Sequence, residues 1–196
     1  TIHQVHVITR HGDRWPLDKH PHQLSKENGG ELTKTGDERM EKLGQWFADT
    51  YSKFLGTTTQ LHFESSALQR TLLSAAVFGK GLVNATVPIF SKELKNDVTI
   101  RAYDKCPSFE EKLVNLYNSA EWKRREADNA DMLKKLAKLD PFRDEPFADG
   151  MVPLQELYNV FDQIQVAKDE CQDGDISTCA ESLKGLLGIV IDDWAN

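Results

Sequence analysis

Two spacings of apolar residues organise the first hundred positions. Residues 2–9, IHQVHVIT, are rich in β-branched side chains and apolar on both faces toward the end, the pattern of a buried strand. From Thr35 the period lengthens, and Met40, Leu43, Phe47, Tyr51 and Phe54 recur at helical spacing before Gly56. TGDE at the start of that stretch reads as a capping box, with Thr35 as N-cap and Glu38 as its partner. A second strand is expected over 60–65 and a second helix over 66–79, carried by Leu68, Leu72, Leu73, Ala76 and Val77. Strand, helix, strand, helix predicts an α/β fold.

Beyond residue 100 the pattern turns helical. Ser108 with Glu111 offers another capping box for a helix through Leu113, Leu116 and Tyr117, and Met132, Leu133, Leu136 and Leu139 form a further stripe. DPFRDEPFADGMVP at 140–153 holds three prolines and a glycine and is expected to be a loop. Leu154, Leu157, Tyr158, Phe161 and Ile164 make the next face, and Leu183, Leu186, Leu187 and Val190 the last. The expected organisation is an α/β core over 1–100 and a mainly helical cap over 101–196, with no internal repeat.

Composition narrows the function classes. Of 196 residues 28% are charged, and no apolar run approaches the roughly 18 residues needed to cross a bilayer, so no membrane span is expected. The net charge of -7 and the lack of a basic stripe argue against nucleic acid as a partner, so any anion site must be local. The three cysteines leave one over if Cys171 and Cys179 close a short ring, with Cys106 free or paired elsewhere. Asn84-Ala85-Thr86 is a glycosylation sequon, and a start at Thr1 suits a mature chain whose leader has been removed. Together these point to a secreted, lysosomal or otherwise lumenal protein.

The densest chemistry lies in RHGDRWP, residues 10–16, at the C-terminal end of the first expected strand. In α/β folds ligands gather outside the carboxyl ends of parallel strands, so Arg10, His11 and Arg14 are expected to face a crevice. Arginine forks match phosphate oxygens two at a time, and a neutral imidazole is a competent nucleophile toward phosphorus. Other features carry less. His3 and His6 point to opposite faces of a strand and His20 and His22 lie in an open loop, so no metal site is expected. DGD at 173–175 lacks the ladder of a calcium loop, and LKKLAKL at 133–139 reads as a solvated helix facing a core rather than a membrane.

RHGDRWP resembles the RHGxRxP signature of the histidine acid phosphatases, the branch of the histidine phosphatase superfamily that includes prostatic and lysosomal acid phosphatases and phytases. GELTKTG at 30–36 with the helix after it, and ESSALQRTLLSA at 64–75, are similar to two further family segments in the same order, while KCPSFEE at 105–111 is a fainter echo. The resemblance implies a three-layer α/β sandwich, incomplete here, with a mainly helical cap. It also implies hydrolysis of phosphate monoesters through a phosphohistidine on His11, with Arg10, Arg14 and Arg70 as the phosphate clamp and no cofactor or metal. Asp13, at the variable motif position, would orient His11 or Arg14, or simply cap the turn. The expected partner is a phosphorylated small molecule or phosphopeptide.

The sequence departs from the family late in the chain. The family's His-Asp or His-Ala-Glu element is absent, because all six histidines (His3, His6, His11, His20, His22, His62) lie in the first third. Glu64 and Ala67 stand where relatives often carry Arg and Asp. YNVFDQIQ and DDWAN look like a cap in progress, whereas CAESLKGLLGIVIDDW echoes the family's extreme C-terminus and would imply an internal deletion. Two consequences are expected: a missing proton donor, for which Asp13, Glu64 or a carboxylate from the second half could substitute, none favoured by spacing, and a sheet edge that a companion chain or second copy would have to cover. One alternative keeps the arginine pocket as a binding site in a weak or inactive relative. Another is a phosphoglycerate-mutase-like phosphotransferase, against which Arg14 and Pro16 argue.

Overall fold

A computed structural model describes residues 2–15, 17, 30–56, 60–139, 142 and 147–171. They divide into two units, one formed by residues up to Trp15 together with Gly30–Cys106, the other by residues 16–29 with the chain from Pro107.

In the first unit, helix α1 spans Lys34–Thr50. Its N-cap is Thr33 and not the expected Thr35: the Thr33 hydroxyl accepts the Gly36 N–H at 3.0 Å. The reason is tertiary, since the same hydroxyl donates to the Asp13 carbonyl at 3.2 Å, which only the earlier threonine reaches. Strand β1, Phe63–Ser66, leads into helix α2, Gln69–Val83, and then strand β2, Ile89–Lys92. β1 and β2 pair in parallel, Phe63 opposite Ile89 and Ser66 opposite Lys92, so α2 is the crossover of a βαβ unit. The hydrophobic pattern did not predict β2.

Helices α1 and α2 bury Met40, Val77 and Phe78 between them, with Leu43, Phe47, Phe63 and Leu82 packed around. The Phe47 and Phe78 rings meet edge-on at 5.5 Å. Glycines set the spacing: a Cβ on Gly44 would lie 2.2 Å from the Phe78 carbonyl oxygen, and one on Gly81 2.2 Å from that of Glu41. Backbone thus packs on backbone where the helices cross.

Residues 2–9 form no strand, contrary to expectation. β-branched composition supplies propensity, but a strand needs a neighbour to take its backbone hydrogen bonds, and none of the described residues pairs with it. Ile8 is 99% exposed as a result.

The second unit is helical: α3 Pro107–Tyr117, α4 Ala120–Asp128, α5 Ala130–Leu136 and α6 Leu157–Cys171. Proline occupies the first position of α3, which places Ser108 inside the helix rather than at its cap. Helix α4, capped by Ser119, carries too few apolar residues to be seen by periodicity. Leu133, Leu136, Phe142, Val152 and Val160 form the core, so the stretch expected as a plain loop contributes two buried side chains, Phe142 and Val152. Glu126 accepts the Leu154 N–H at 2.9 Å and secures the turn before α6. The helix expected through Leu183–Val190 and the Cys171–Cys179 ring lie outside the described residues. Among the described residues there is no disulfide and no helix long and apolar enough to span a membrane.

Candidate active site: a histidine among guanidiniums

The segment Arg10–Trp15 is held from two sides. Toward α1, Arg14 bridges Leu32 in antiparallel fashion, the Trp15 N–H donates to the Glu31 carbonyl and the Thr33 N–H to the Asp13 carbonyl, both at 2.9 Å. Gly12 sits so close to the first turn of α1 that a Cβ would fall 2.6 Å from the Gly36 carbonyl oxygen, and a Cβ on Gly36 would fall 2.2 Å from that of Asp13. Glycine at both positions is therefore a condition of the contact. Toward α2, the Gly12 N–H donates to the Ser74 hydroxyl at 3.0 Å, and that hydroxyl donates to the Arg70 carbonyl at 2.6 Å. Ser74 is 3% exposed and ties the loop to the helical turn that carries Arg70. The Leu32 N–H is taken by the Gln69 side chain at 3.1 Å, a second link from the same turn.

His11 is half-buried within this frame. Its Nδ1 lies 2.8 Å from the Gly12 carbonyl oxygen. A carbonyl only accepts, so Nδ1 must carry the proton, which leaves Nε2 as a free lone pair. Burial holds the His11 pKa below its ordinary value; the bond to Gly12 opposes this, and the charges of Arg10, Arg70 and Arg14 reinforce it. The neutral ring is thus favoured over the protonated one relative to a free imidazole.

Arg10, Arg14 and Arg70 all lie within electrostatic reach of that ring. Arg10 is exposed. Arg14 is 5% exposed and its Nη1 donates to the Trp15 carbonyl at 3.0 Å. Arg70 Nη1 donates to the Gly30 carbonyl at 3.1 Å, while its buried Nε has no hydrogen-bond partner among the described residues. Burial, then Arg14 and Arg101, lower the pKa of Arg70, with Tyr103 opposing. Guanidiniums that disfavour one another and a donor without an acceptor make a cluster that an oxyanion would stabilise.

The Oδ2 of Asp13 accepts from Arg39 Nη1 of α1 at 2.7 Å. Glu64 lies on β1, 3.8 Å from His62 Nε2. Among the described residues no three His, Cys, Asp or Glu side chains gather as a metal would require. The donor set is one of cations around an imidazole, which suits an anion. Sequence reasoning missed two residues here. Ser74 follows Arg70 by one helical turn and was legible in principle as a small polar residue on the same face. Thr33 gave no comparable signal, because its role depends on Asp13.

Comparison with known proteins shows the family to which the chain belongs. Residues 23–145 match the model of the histidine phosphatase superfamily (branch 2), a stretch that begins after RHGDRWP and so does not depend on it. Human prostatic acid phosphatase is 28% identical over 157 residues, covering 69% of this chain and 41% of that protein. Bovine lysosomal acid phosphatase is 26% identical over 186 residues, covering 84% of this chain and 42% of that protein. The chain thus spans about two fifths of the length of the curated relatives it matches. A phytase from Klebsiella sp. ASR1 superposes with a TM-score of 0.61 at 17% identity, over 94% of this chain and 56% of the phytase, a likeness of fold. With a family match over more than half its length, the chain belongs to the histidine phosphatase superfamily, branch 2.

Proposed function

We propose that this chain carries the phosphate-binding half of an acid phosphatase acting on phosphate monoesters of small molecules or peptides. In this reading Arg10, Arg14 and Arg70 bind the phosphoryl oxygens, and His11 Nε2 attacks phosphorus. The N–P bond forms as the ester P–O bond breaks, the alcohol departs and takes up a proton, and water then releases inorganic phosphate from the phosphohistidine. One observation supports it most: the His11 proton is committed to the Gly12 carbonyl amid three guanidiniums, so the free lone pair belongs to the other nitrogen. The arginines offset charge as it shifts during transfer. Asp13, one candidate proton donor, is engaged by Arg39.

The same reading includes the three-layer sandwich of the family, to which β1 and β2 contribute, with a companion chain or second copy covering the open strand edges. It also includes a lumenal or secreted location, for which the exposed Asn84 sequon at the end of α2 is the supporting feature. The test is hydrolysis of an aryl phosphate at acidic pH, with trapping of an acid-labile phosphoryl label on His11. His11→Ala should remove label and turnover together. Phosphate binding with neither label nor turnover would overturn the enzymatic reading and leave a binding protein.

A further inference from the structure

The turn between α2 and β2 carries Asn84-Ala85-Thr86, and the fold engages neither of the two side chains that define this triplet. Asn84 closes α2 in the left-handed conformation, φ 53° and ψ 35°, with its backbone N–H donating to the Lys80 carbonyl at 2.7 Å. Asparagine is among the few residues besides glycine that tolerate this conformation, so its backbone has a structural use. Its side chain has none: Asn84 is exposed, and the amide bonds to no described residue. Thr86 is exposed as well, and its hydroxyl is bonded to no described residue. Glycine would close the helix equally well, and nothing in the packing asks for a threonine two residues later.

The turn that displays the pair is anchored at both ends. The Lys80 carbonyl holds it at Asn84, and Val87 lies so close to α2 that a Cβ on Gly79 would fall 2.2 Å from its Cγ2. Position within the unit matters too. Arg70 lies in the first turn of α2 and Asn84 at the other end, about 21 Å away along the axis at the helical rise of about 1.5 Å per residue. A bulky group on Asn84 therefore stands clear of the turn that carries Arg70 and holds the His11 loop. The sequence has no second Asn-X-Ser/Thr triplet, so any such group belongs to this position.

Given the lumenal location on which this rests, we propose that Asn84 is the acceptor of a single N-linked glycan. In the transfer the Asn84 amide nitrogen bonds to C1 of an oligosaccharide carried on a polyisoprenyl diphosphate. The C1–O bond breaks, the lipid diphosphate leaves with the electron pair, and the amide gives up one proton. Thr86 supplies the hydroxyl that the transferase requires. The glycan adds a bulky, solubilising group at the end of α2 and leaves the phosphate site open.

The full chain, secreted from mammalian cells behind a cleavable leader, tests this by its intact mass before and after peptide N-glycosidase. Wild-type protein should lose the mass of one glycan, and release in heavy-oxygen water should leave labelled aspartate at position 84. Asn84→Gly, which keeps the left-handed cap, and Thr86→Ala, which removes an unengaged hydroxyl, should each carry no glycan, whereas Thr86→Ser should retain it. Both glycan-free variants should bind inorganic phosphate within about twofold of wild type, the range of a neutral surface change. Secreted wild-type protein that binds phosphate yet loses no mass overturns the proposal, and so does a glycan that persists in Thr86→Ala. A larger loss of phosphate affinity in both variants overturns the placement of the glycan clear of the site. Wild-type protein that carries the glycan but binds no phosphate defeats the phosphatase reading alone. Native protein confined to the cytosol defeats the lumenal location, and the modification with it.

Discussion

Replacing Ser74 with alanine isolates the link between the His11 loop and the helix bearing Arg70. The hydroxyl is 3% exposed, accepts the Gly12 N–H at 3.0 Å and donates to the Arg70 carbonyl at 2.6 Å. Removing it leaves the Arg70 carbonyl with the bond of its own helix, so the loss falls on Gly12. A buried N–H deprived of its acceptor costs about 1–3 kcal/mol, and the better helix propensity of alanine returns at most about 0.5 kcal/mol. The expected net destabilisation is about 0.5–2.5 kcal/mol, or roughly 1–10 °C in Tm for a chain of this size. Because Gly12 adjoins His11, its release also frees the ring from the arginines, and affinity for inorganic phosphate should fall together with stability. Thermal melting and phosphate titration of Ser74→Ala, with exposed Ser91→Ala as control, give both readings. A Ser74→Ala protein within about 0.5 kcal/mol of wild type, the range of a neutral surface change, and with unaltered phosphate affinity would refute the role assigned to this hydroxyl.

Three further outcomes follow from the geometry of this unit. His11 titrates below its ordinary value chiefly through burial, with Arg70 among the cations that add to it, so in Arg70→Gln its NMR titration should move upward yet stay below about 6.5, the ordinary value; a downward movement would contradict the arrangement. Since the unfolded chain then binds the proton more readily than the native one, His11 makes stability fall as pH drops through and below that ordinary value, a dependence that His11→Ala should lessen in urea titrations across that range. For Gly44→Ala, the helix-propensity gain of about 1 kcal/mol should lose to the clash with the Phe78 carbonyl at 2.2 Å, since overpacking typically costs about 1–3 kcal/mol. A higher urea midpoint for this variant would show that α1 and α2 are not backed against each other there.

The resemblance to the histidine acid phosphatases was legible in three short motifs, and the family match bears it out. Local periodicity placed α1 and α2 to within a few residues, because a helix closes its hydrogen bonds within its own segment. Strands do not, and that difference accounts for most of what sequence missed. Residues 2–9 carry strand composition without a paired neighbour among the described residues, whereas β2 forms on four residues of no obvious pattern because β1 lies beside it. The same physics governs the site. His11, Arg10, Arg14 and Arg70 could be named from residue type and motif, since their chemistry is intrinsic to the side chains. The tautomer of His11, the engagement of Asp13 by Arg39 and the capping by Thr33 each require a partner distant in sequence. Such partners are decided only when the chain has folded around them.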